Sequence, residues 1–289
     1  MSNSPVIMDG KIVSAKIRGA LKAQVASMKE KPCLAVVLVG EDPASKVYVA
    51  NKEKACVEIG YASRKIVLPE QTGEDELMDV VAKLNDDSSV HGLLVQFPLP
   101  LHLKHLEERI IQTINPKKDV DGFHPINVGV MTTCSGSVCE EALLPCTPLG
   151  IIRILTEYKI PIAGKHAVIL GRSNLVGKPV ALLLLAQDAT VTVCHSKTIN
   201  LTQYSQKADI VVSAVGKANF VTADMVKEGA VIIDAGINRT QNGLVGDVDF
   251  AAVSGKVSAI TPVPGGIGPM TIAMLMENLM KAYRMQKNG

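Results

Sequence analysis

Ser45, Tyr48 and Lys52 are spaced i, i+3 and i+7, which on a helix puts a hydroxyl, a phenol and an amine on one face. Tyr48 and Lys52 stand one turn apart, and an amine beside a phenol is a workable acid–base pair. Alone, Y-x-x-x-K more often marks a solvated amphipathic helix, so the pair needs support from elsewhere. Gln96 closes the apolar run GLLVQ, where an amide at the edge of a sheet can orient a ligand or a water. KDVDGF supplies Asp119 and Asp121 in a turn. Two close carboxylates suit a cation, but no third oxygen ligand accompanies them, so no metal is expected. Asp121 alone suits the donors of an amino-heterocycle; the plain alternative is a turn-capping aspartate.

A second set of residues suits a nucleotide. HAVILGRSNLVGKPVALLLL reads as strand, turn and helix, with Gly171 ending the strand and Gly177 in the first helical turn. Small residues there let a phosphate approach backbone N–H groups and the helix N-terminus. The motif departs from G-x-G-x-x-G: Ser173 replaces the middle glycine and the spacing is one longer. The next strand, TVTVC, is followed by His195, Ser196 and Lys197, with no carboxylate to receive a ribose 2′-hydroxyl. Hydroxyl and cationic groups, with Arg172 nearby, favour a 2′-phosphate and hence NADP over NAD. VSAVGKANF and DAGINR put further glycines at strand ends, where open α/β sheets bind ligands. TPVPGGIGPMT is dense in Gly and Pro, with fixed geometry and bare N–H groups suited to a ligand cleft or a hinge.

The elements that must position these groups alternate along the chain. LAVVLVG (34–40), 64–68 and GLLVQ (92–96) read as strands, separated by helical patterns over 45–59 and 73–84. Uniformly apolar strands between helices imply a parallel sheet covered on both faces. The pattern pauses between about 112 and 147, which is loop-rich. It restarts with a helix over 148–158, strands at 166–171, 190–194, 209–215 and 230–235, a helix over 176–187 and a last helix over 270–285. The second half is therefore a doubly wound nucleotide-binding unit, with a boundary near 146. The last helix can pack back onto the first domain, since chain termini often lie close. The expected domains are 1–146 plus 270–289, and 147–269.

Composition narrows the class. The chain has 289 residues, 30 basic against 28 acidic side chains, and only nine Phe and Tyr with no Trp. Without a basic stripe or stacking platforms, nucleic acid is a poor partner. The longest apolar run, PVALLLLA, is too short to cross a bilayer. The first twenty residues do not read as a secretory signal. Lys11, Lys16 and Arg18 fit an organelle-import leader, but Asp9 counts against it. Six cysteines at 33, 56, 134, 139, 146 and 194 form no C-x-x-C and read as reduced thiols, consistent with the cytoplasm. His102 and His105 lack a third metal ligand and read as a solvated helix start.

Ser45-x-x-Tyr48-x-x-x-Lys52, VQFPLP (95–100), KDVDGF (118–123), GRSxxVGxP (171–179), CHSKT (194–198) and PVPGGIGPMT (262–271) occur together and in order. In that combination the chain resembles the bifunctional methylenetetrahydrofolate dehydrogenase/cyclohydrolase family over nearly its whole length. The resemblance implies two α/β domains, the second Rossmann-like, with a folate cleft between them, and a homodimer. It implies oxidation of 5,10-methylenetetrahydrofolate with NADP and hydrolysis of the methenyl product to 10-formyltetrahydrofolate. Carried over, Lys52 is the catalytic lysine, Tyr48 stacks along the aminobenzoate, Gln96 tunes Lys52 and Asp121 holds the pterin. Val95, Phe97, Pro264, Gly265, Gly266, Ile267 and Gly268 line the folate site. Phe97 stands where leucine is commoner and would reshape that pocket slightly. Gly171, Arg172, Ser173, Gly177, His195, Ser196, Ile237 and Thr271 hold the cofactor. The competing readings are a dehydrogenase without the hydrolytic step, a non-catalytic nucleotide sensor, and a quinone or polyol reductase.

Overall fold

The computed structural model describes residues 4–134, 142–241 and 243–287. In chain order the elements are β1 (Val6–Ile7), α1 (Gly10–Ala26), β2 (Cys33–Val39), α2 (Pro43–Ile59), β3 (Ala62–Leu68), α3 (Glu74–Asp86) and β4 (Gly92–Val95). A 3-10 segment (Leu101–Leu106), α4 (Glu107–Thr113), α5 (Pro125–Thr133) and α6 (Cys146–Glu157) follow. Next come β5 (His166–Leu170), α7 (Gly177–Leu185), β6 (Thr190–Cys194), α8 (Leu201–Ser205) and β7 (Ile210–Ser213). The chain ends with β8 (Val231–Asp234), β9 (Asn238–Thr240), β10 (Gly243–Val245), α9 (Phe250–Ser254), β11 (Ala259–Ile260) and α10 (Ile267–Lys287).

Two compact α/β units result. In the first, a parallel sheet of order β3-β2-β4 has β2 wholly buried at its centre. Its apolar side chains pack with Leu77 and Val81 of α3 and Ile110 of α4. β3 is the edge strand and is exposed along most of its length, so this sheet is not evenly covered as the apolar strands suggest. The unit includes the chain from Ile272 onward. Asn278 of α10, buried, donates through Nδ2 to Val120 O and Leu144 O, each at 2.8 Å. Gly92 has no room for a side chain, since a Cβ there would meet Val120 and Leu279 at 2.5 and 2.7 Å.

The second unit carries six parallel strands in the order β1-β11-β8-β7-β5-β6, with the hairpin β9–β10 apart. The core strand runs are buried because helices cover both faces of such sheets. Val168, Leu170, Val211 and Ile232 form its core with Val253 of α9. The chain leaves β5 toward β6 on one side and reaches β7 on the other, giving the switch point at which doubly wound sheets bind ligands. The boundaries differ from the sequence expectation at the N-terminus. Val6 and Ile7 pair with Ala259 and Ile260, and the chain as far as Ser14 groups with this unit instead of with 15–131. A two-residue strand carries no periodic signal of its own, so only its partner reveals it.

Other differences are local. α5 forms within the stretch read as loop, with Pro125 opening it, and α10 begins at Ile267, with Pro269 tolerated in its first turn. Cys33, Cys56, Cys146 and Cys194 are free and buried. Cys134, which directly follows α5, is disulfide-bonded, which corrects the reading of all six as reduced thiols. Cys139 lies outside the described residues. Among the described residues no helix is long and apolar enough to cross a membrane.

Asn278→Ala takes the side-chain donor from Leu144 O and leaves Val120 O only the weak Cys146 thiol, so it should destabilise the first unit by about 1–3 kcal/mol. Urea unfolding checks this: the midpoint should fall with an unchanged slope.

Candidate active site

In the first unit the helix that carries Tyr48 and Lys52 starts by design of its sequence. Asp42 caps α2, accepting from Ser45 N at 2.7 Å, and Pro43 sits in the first turn. Gly60 ends it in the left-handed conformation. Tyr48 is exposed, Lys52 half-buried, and Ser45 buried with its hydroxyl lacking a hydrogen-bond partner. Gln96 continues the ladder beyond β4, its N–H donating to Val37 O at 2.8 Å. Its side chain is fixed at both ends. Nε2 donates to Phe97 O at 2.7 Å, so Oε1 must face the other way, where it accepts from Lys52 Nζ at 3.1 Å. Val95 is buried in β4, and Phe97 is half-buried against the core cluster, so its ring is partly packing material.

The KDVDGF turn runs beside β4, with Leu93 N donating to Lys118 O at 2.8 Å. Asp119, and not Asp121, is the turn-organising carboxylate. It accepts from Gly122 N (3.2 Å), His124 N (2.7 Å) and Asn127 Nδ2 (2.9 Å). Burial pushes its pKa up, against those hydrogen bonds. Gly122 takes a φ of 78°, and a Cβ there would sit 2.3 Å from the Leu144 carbonyl carbon. Asp121 is left half-buried. Cys146, which sequence reasoning left aside, belongs to this cluster. Burial holds its thiol well above the usual range, the Asp121 carboxylate adds to that, and the Lys52 ammonium opposes it. The protonated thiol donates to Val120 O at 3.2 Å. Its only sequence signal is its place between Pro145 and Thr147, which says nothing of these neighbours.

In the second unit, four turns emerge side by side. Gly171 N donates to Cys194 O, Ala214 N to Leu170 O and Ala235 N to Ser213 O, at 2.8, 2.8 and 2.9 Å. The ends of β6, β5, β7 and β8 are thus stitched in line. A Cβ on Gly171, whose φ is 119°, would lie 2.3 Å from Ala214 O, and one on Gly177 would lie 2.3 Å from Gly171 O. The cradle has room for backbone only, as a phosphate turn needs. Ser173 Oγ accepts from Val176 N (3.2 Å) and Gly177 N (3.3 Å), shaping the turn itself. Arg172, Ser196 and Lys197 are exposed. His195 Nδ1 accepts from Lys197 N at 3.2 Å, which leaves the N–H on Nε2. These residues suit a dinucleotide with a 2′-phosphate: a backbone-lined turn, a hydroxyl and cations, and no acidic group closing β6.

Ile237 is 45% exposed and faces Gly268, whose added Cβ would lie 3.9 Å from Ile237 Cδ1. Gly265 accepts from Gly10 N at 2.9 Å, and Gly10 packs so closely that a Cβ would lie 1.8 Å from Gly266 O. The Pro264–Gly268 segment is therefore braced on the start of α1, with Pro264 exposed and Gly265 to Ile267 buried. Thr271 has its hydroxyl engaged, 2.9 Å from Thr147 Oγ1 and 3.2 Å from Ile267 O. Among the described residues no three His, Cys, Asp or Glu side chains gather in a metal-binding cluster.

A Rossmann-type sheet with a glycine-lined βα turn, joined to a second α/β unit bearing an amide-held lysine, defines a dinucleotide-dependent enzyme of two domains. The chain belongs to the tetrahydrofolate dehydrogenase/cyclohydrolase family. The family's catalytic-domain model matches residues 8–121, and its NAD(P)-binding-domain model matches residues 145–287. The chain is 52% identical over 284 residues to the bifunctional protein FolD of Halalkalibacterium halodurans, covering 97% of this chain and 99% of that one. The crystal structure of the bifunctional FolD methylenetetrahydrofolate dehydrogenase/cyclohydrolase from Campylobacter jejuni superposes with a TM-score of 0.92 at 49% identity, over 99% of each chain. The Trypanosoma brucei enzyme, complexed with NADP cofactor and inhibitor, gives 0.91 at 33% identity, over 99% of this chain and 100% of that one.

Two buried carboxylates support the second unit's turns. Burial raises the pKa of Asp234 to about 6, although Val248, Asp247 and Gly236 N–H groups donate to it. Because the folded pKa exceeds the unfolded one, the stability this group contributes is full below about 4 and is lost as pH rises through about 6. Wild type should therefore gain stability relative to Asp234→Asn between pH 7 and 5, read as a widening gap in urea midpoints; a pH-independent gap contradicts the assignment.

Proposed function

We propose that this chain oxidises 5,10-methylenetetrahydrofolate with NADP and then hydrolyses the methenyl product to 10-formyltetrahydrofolate, with Lys52 as the acid–base group of the hydrolytic step. The observation that carries the reading is the 3.1 Å contact from Lys52 Nζ to a Gln96 amide whose orientation is fixed by Phe97 O. Membership of the dehydrogenase/cyclohydrolase family supplies the reaction class.

NADP, when bound, supplies the acceptor for the hydride that leaves the one-carbon bridge. Gly171, Arg172, Ser173 and Gly177 would hold its phosphates, and Ser196, with His195 beside it, the 2′-phosphate. Ile237, the Pro264–Gly268 segment and Thr271 would border its reacting end. Hydride transfer asks chiefly for position, which braced backbone provides. Hydrolysis asks for more. Water adds to the electrophilic methenyl carbon as Lys52 Nζ accepts the proton released; Lys52 returns it to the ring nitrogen as the carbon–nitrogen bond breaks, and the carbinol hydroxyl gives its remaining proton to solvent as the formyl carbonyl forms. The Gln96 carbonyl holds Nζ in place throughout, because its amide cannot turn without losing Phe97 O. Tyr48 offers an exposed ring face for stacking on the aminobenzoate, and Asp121 accepts hydrogen bonds from the pterin. A dehydrogenase without hydrolysis, or a nucleotide sensor, has no need of an anchored amine.

The reading extends to assembly and place. The exposed edge strand β3, with Val67 48% exposed, offers unpaired backbone groups and apolar surface and supports a homodimer. A cytoplasmic location is supported by the four cysteines that stay free, with the disulfide-bonded Cys134 the exception.

Lys52→Met should lower cyclohydrolase turnover by about 10²–10⁴-fold and dehydrogenase turnover far less. Equal losses with folate binding intact defeat the division of labour. Ser196→Asp should raise the KM for NADP by roughly tenfold through charge repulsion while sparing NAD. An unchanged NADP KM removes the 2′-phosphate assignment.

A further inference from the structure

Asp247 is fully buried, has no surface on which to meet a ligand, and plays no part in the steps above. Its carboxylate nonetheless gathers five donors. Oδ2 accepts from Ser213 Oγ (3.3 Å), Val215 N (2.7 Å) and Gly216 N (3.1 Å). Oδ1 accepts from Lys217 N (3.0 Å) and Asn238 Nδ2 (2.9 Å). Three successive N–H groups at the C-terminal end of a strand form a concavity suited to an external anion. Here the protein fills that concavity itself.

The two segments so joined flank the cofactor turn. Residues 215–217 follow β7, next to Gly171, whose backbone lies against Ala214. Asn238 directly follows Ile237. The space between is full: a Cβ on Gly236 would lie 2.2 Å from the Asp247 carboxyl. Asp247 N in turn donates to Asp234 Oδ1 at 3.0 Å, and Asp234 Oδ1 also accepts from Gly236 N at 2.9 Å. Both neighbours of Ile237 therefore answer to these two carboxylates, Gly236 through its backbone N–H and Asn238 through its side-chain amide.

We infer that Asp247 is a positioning residue for the dehydrogenase step, splinting the turn after β7 to Asn238 so that Ile237 stays where the nicotinamide end of the cofactor must lie. The inference rests on the cofactor site given under Proposed function. An amide in its place has one accepting oxygen, so its NH2 must face either Lys217 N and Asn238 Nδ2 or Val215 N and Gly216 N, and the splint loses either its link to Asn238 or half of its hold on the turn. A small displacement at the reacting end costs hydride transfer much and phosphate binding little, because the phosphates are held at Gly171 to Gly177.

The test is Asp247→Asn, assayed separately for each activity. Dehydrogenase kcat at saturating NADP should fall by about tenfold or more, and the deuterium isotope effect on kcat with methylene-dideuterated substrate should rise. Cyclohydrolase turnover of supplied 5,10-methenyltetrahydrofolate should stay within about twofold. Equal loss of both activities, or an unchanged dehydrogenase with an unchanged isotope effect, overturns the inference. Should Asp247→Asn not fold, Asn238→Ala removes one of the five donors and should still lower the dehydrogenase alone; no change there overturns it equally. Ser196→Asp separates the failures. If Ser196→Asp weakens NADP and the Asp247 and Asn238 variants do nothing, only this inference falls. If Ser196→Asp has no effect either, the cofactor site itself is misassigned.

Discussion

Parallel pairing fixes where strands end relative to one another, and every turn assigned to the cofactor hangs from that alignment. Cys194, Leu170, Ser213 and Asp234 close adjacent strands, and the hydrogen bonds beyond them, from Gly171, Ala214 and Ala235, extend the ladder by one more rung. Four loops leave at one edge as a result. The closeness they reach is set by absent side chains: Gly171 against Ala214, Gly177 against Gly171. A methyl group at either place would collide with backbone, which cannot swing aside as a side chain can.

Each unit then uses an internal carboxylate to hold a functional loop. Asp119 gathers N–H groups of the turn that carries Asp121. Asp247 gathers three from the turn after β7. Removing a carboxylate from water is costly, and oriented N–H donors offset the cost while fixing the loop. The raised pKa values of Asp119 and Asp234 are the residue of that cost. The groups that face ligands, Asp121 and the side chains of 195–197, are left more open to solvent. Holding and binding are thus given to different residues one or a few positions apart.

Gln96 shows the same economy with a neutral group. One end of its amide is fastened to its own neighbour's carbonyl, so the other end is aimed at Lys52 without a charge that would compete for the amine. The helix beneath Lys52 is set by Asp42, Pro43 and Gly60, all local signals.

Those local signals are what the sequence by itself determined. Apolar runs gave the strands, glycines and prolines the turns, and the spacing of Tyr48 and Lys52 their common face, because each depends on residues within about two turns of one another. Asp121 was recognisable and Asp119 was not separable from it, since both satisfy the same turn chemistry and only burial distinguishes them. What tertiary structure decided lies far apart in the chain. It joined β1 to β11, Asn278 to Val120 and Leu144, Cys146 to Asp121 and Lys52, and Asp247 to the turn after β7. No periodicity encodes such meetings, because which distant backbone N–H or carbonyl is left needing a partner is settled only when the sheets have closed.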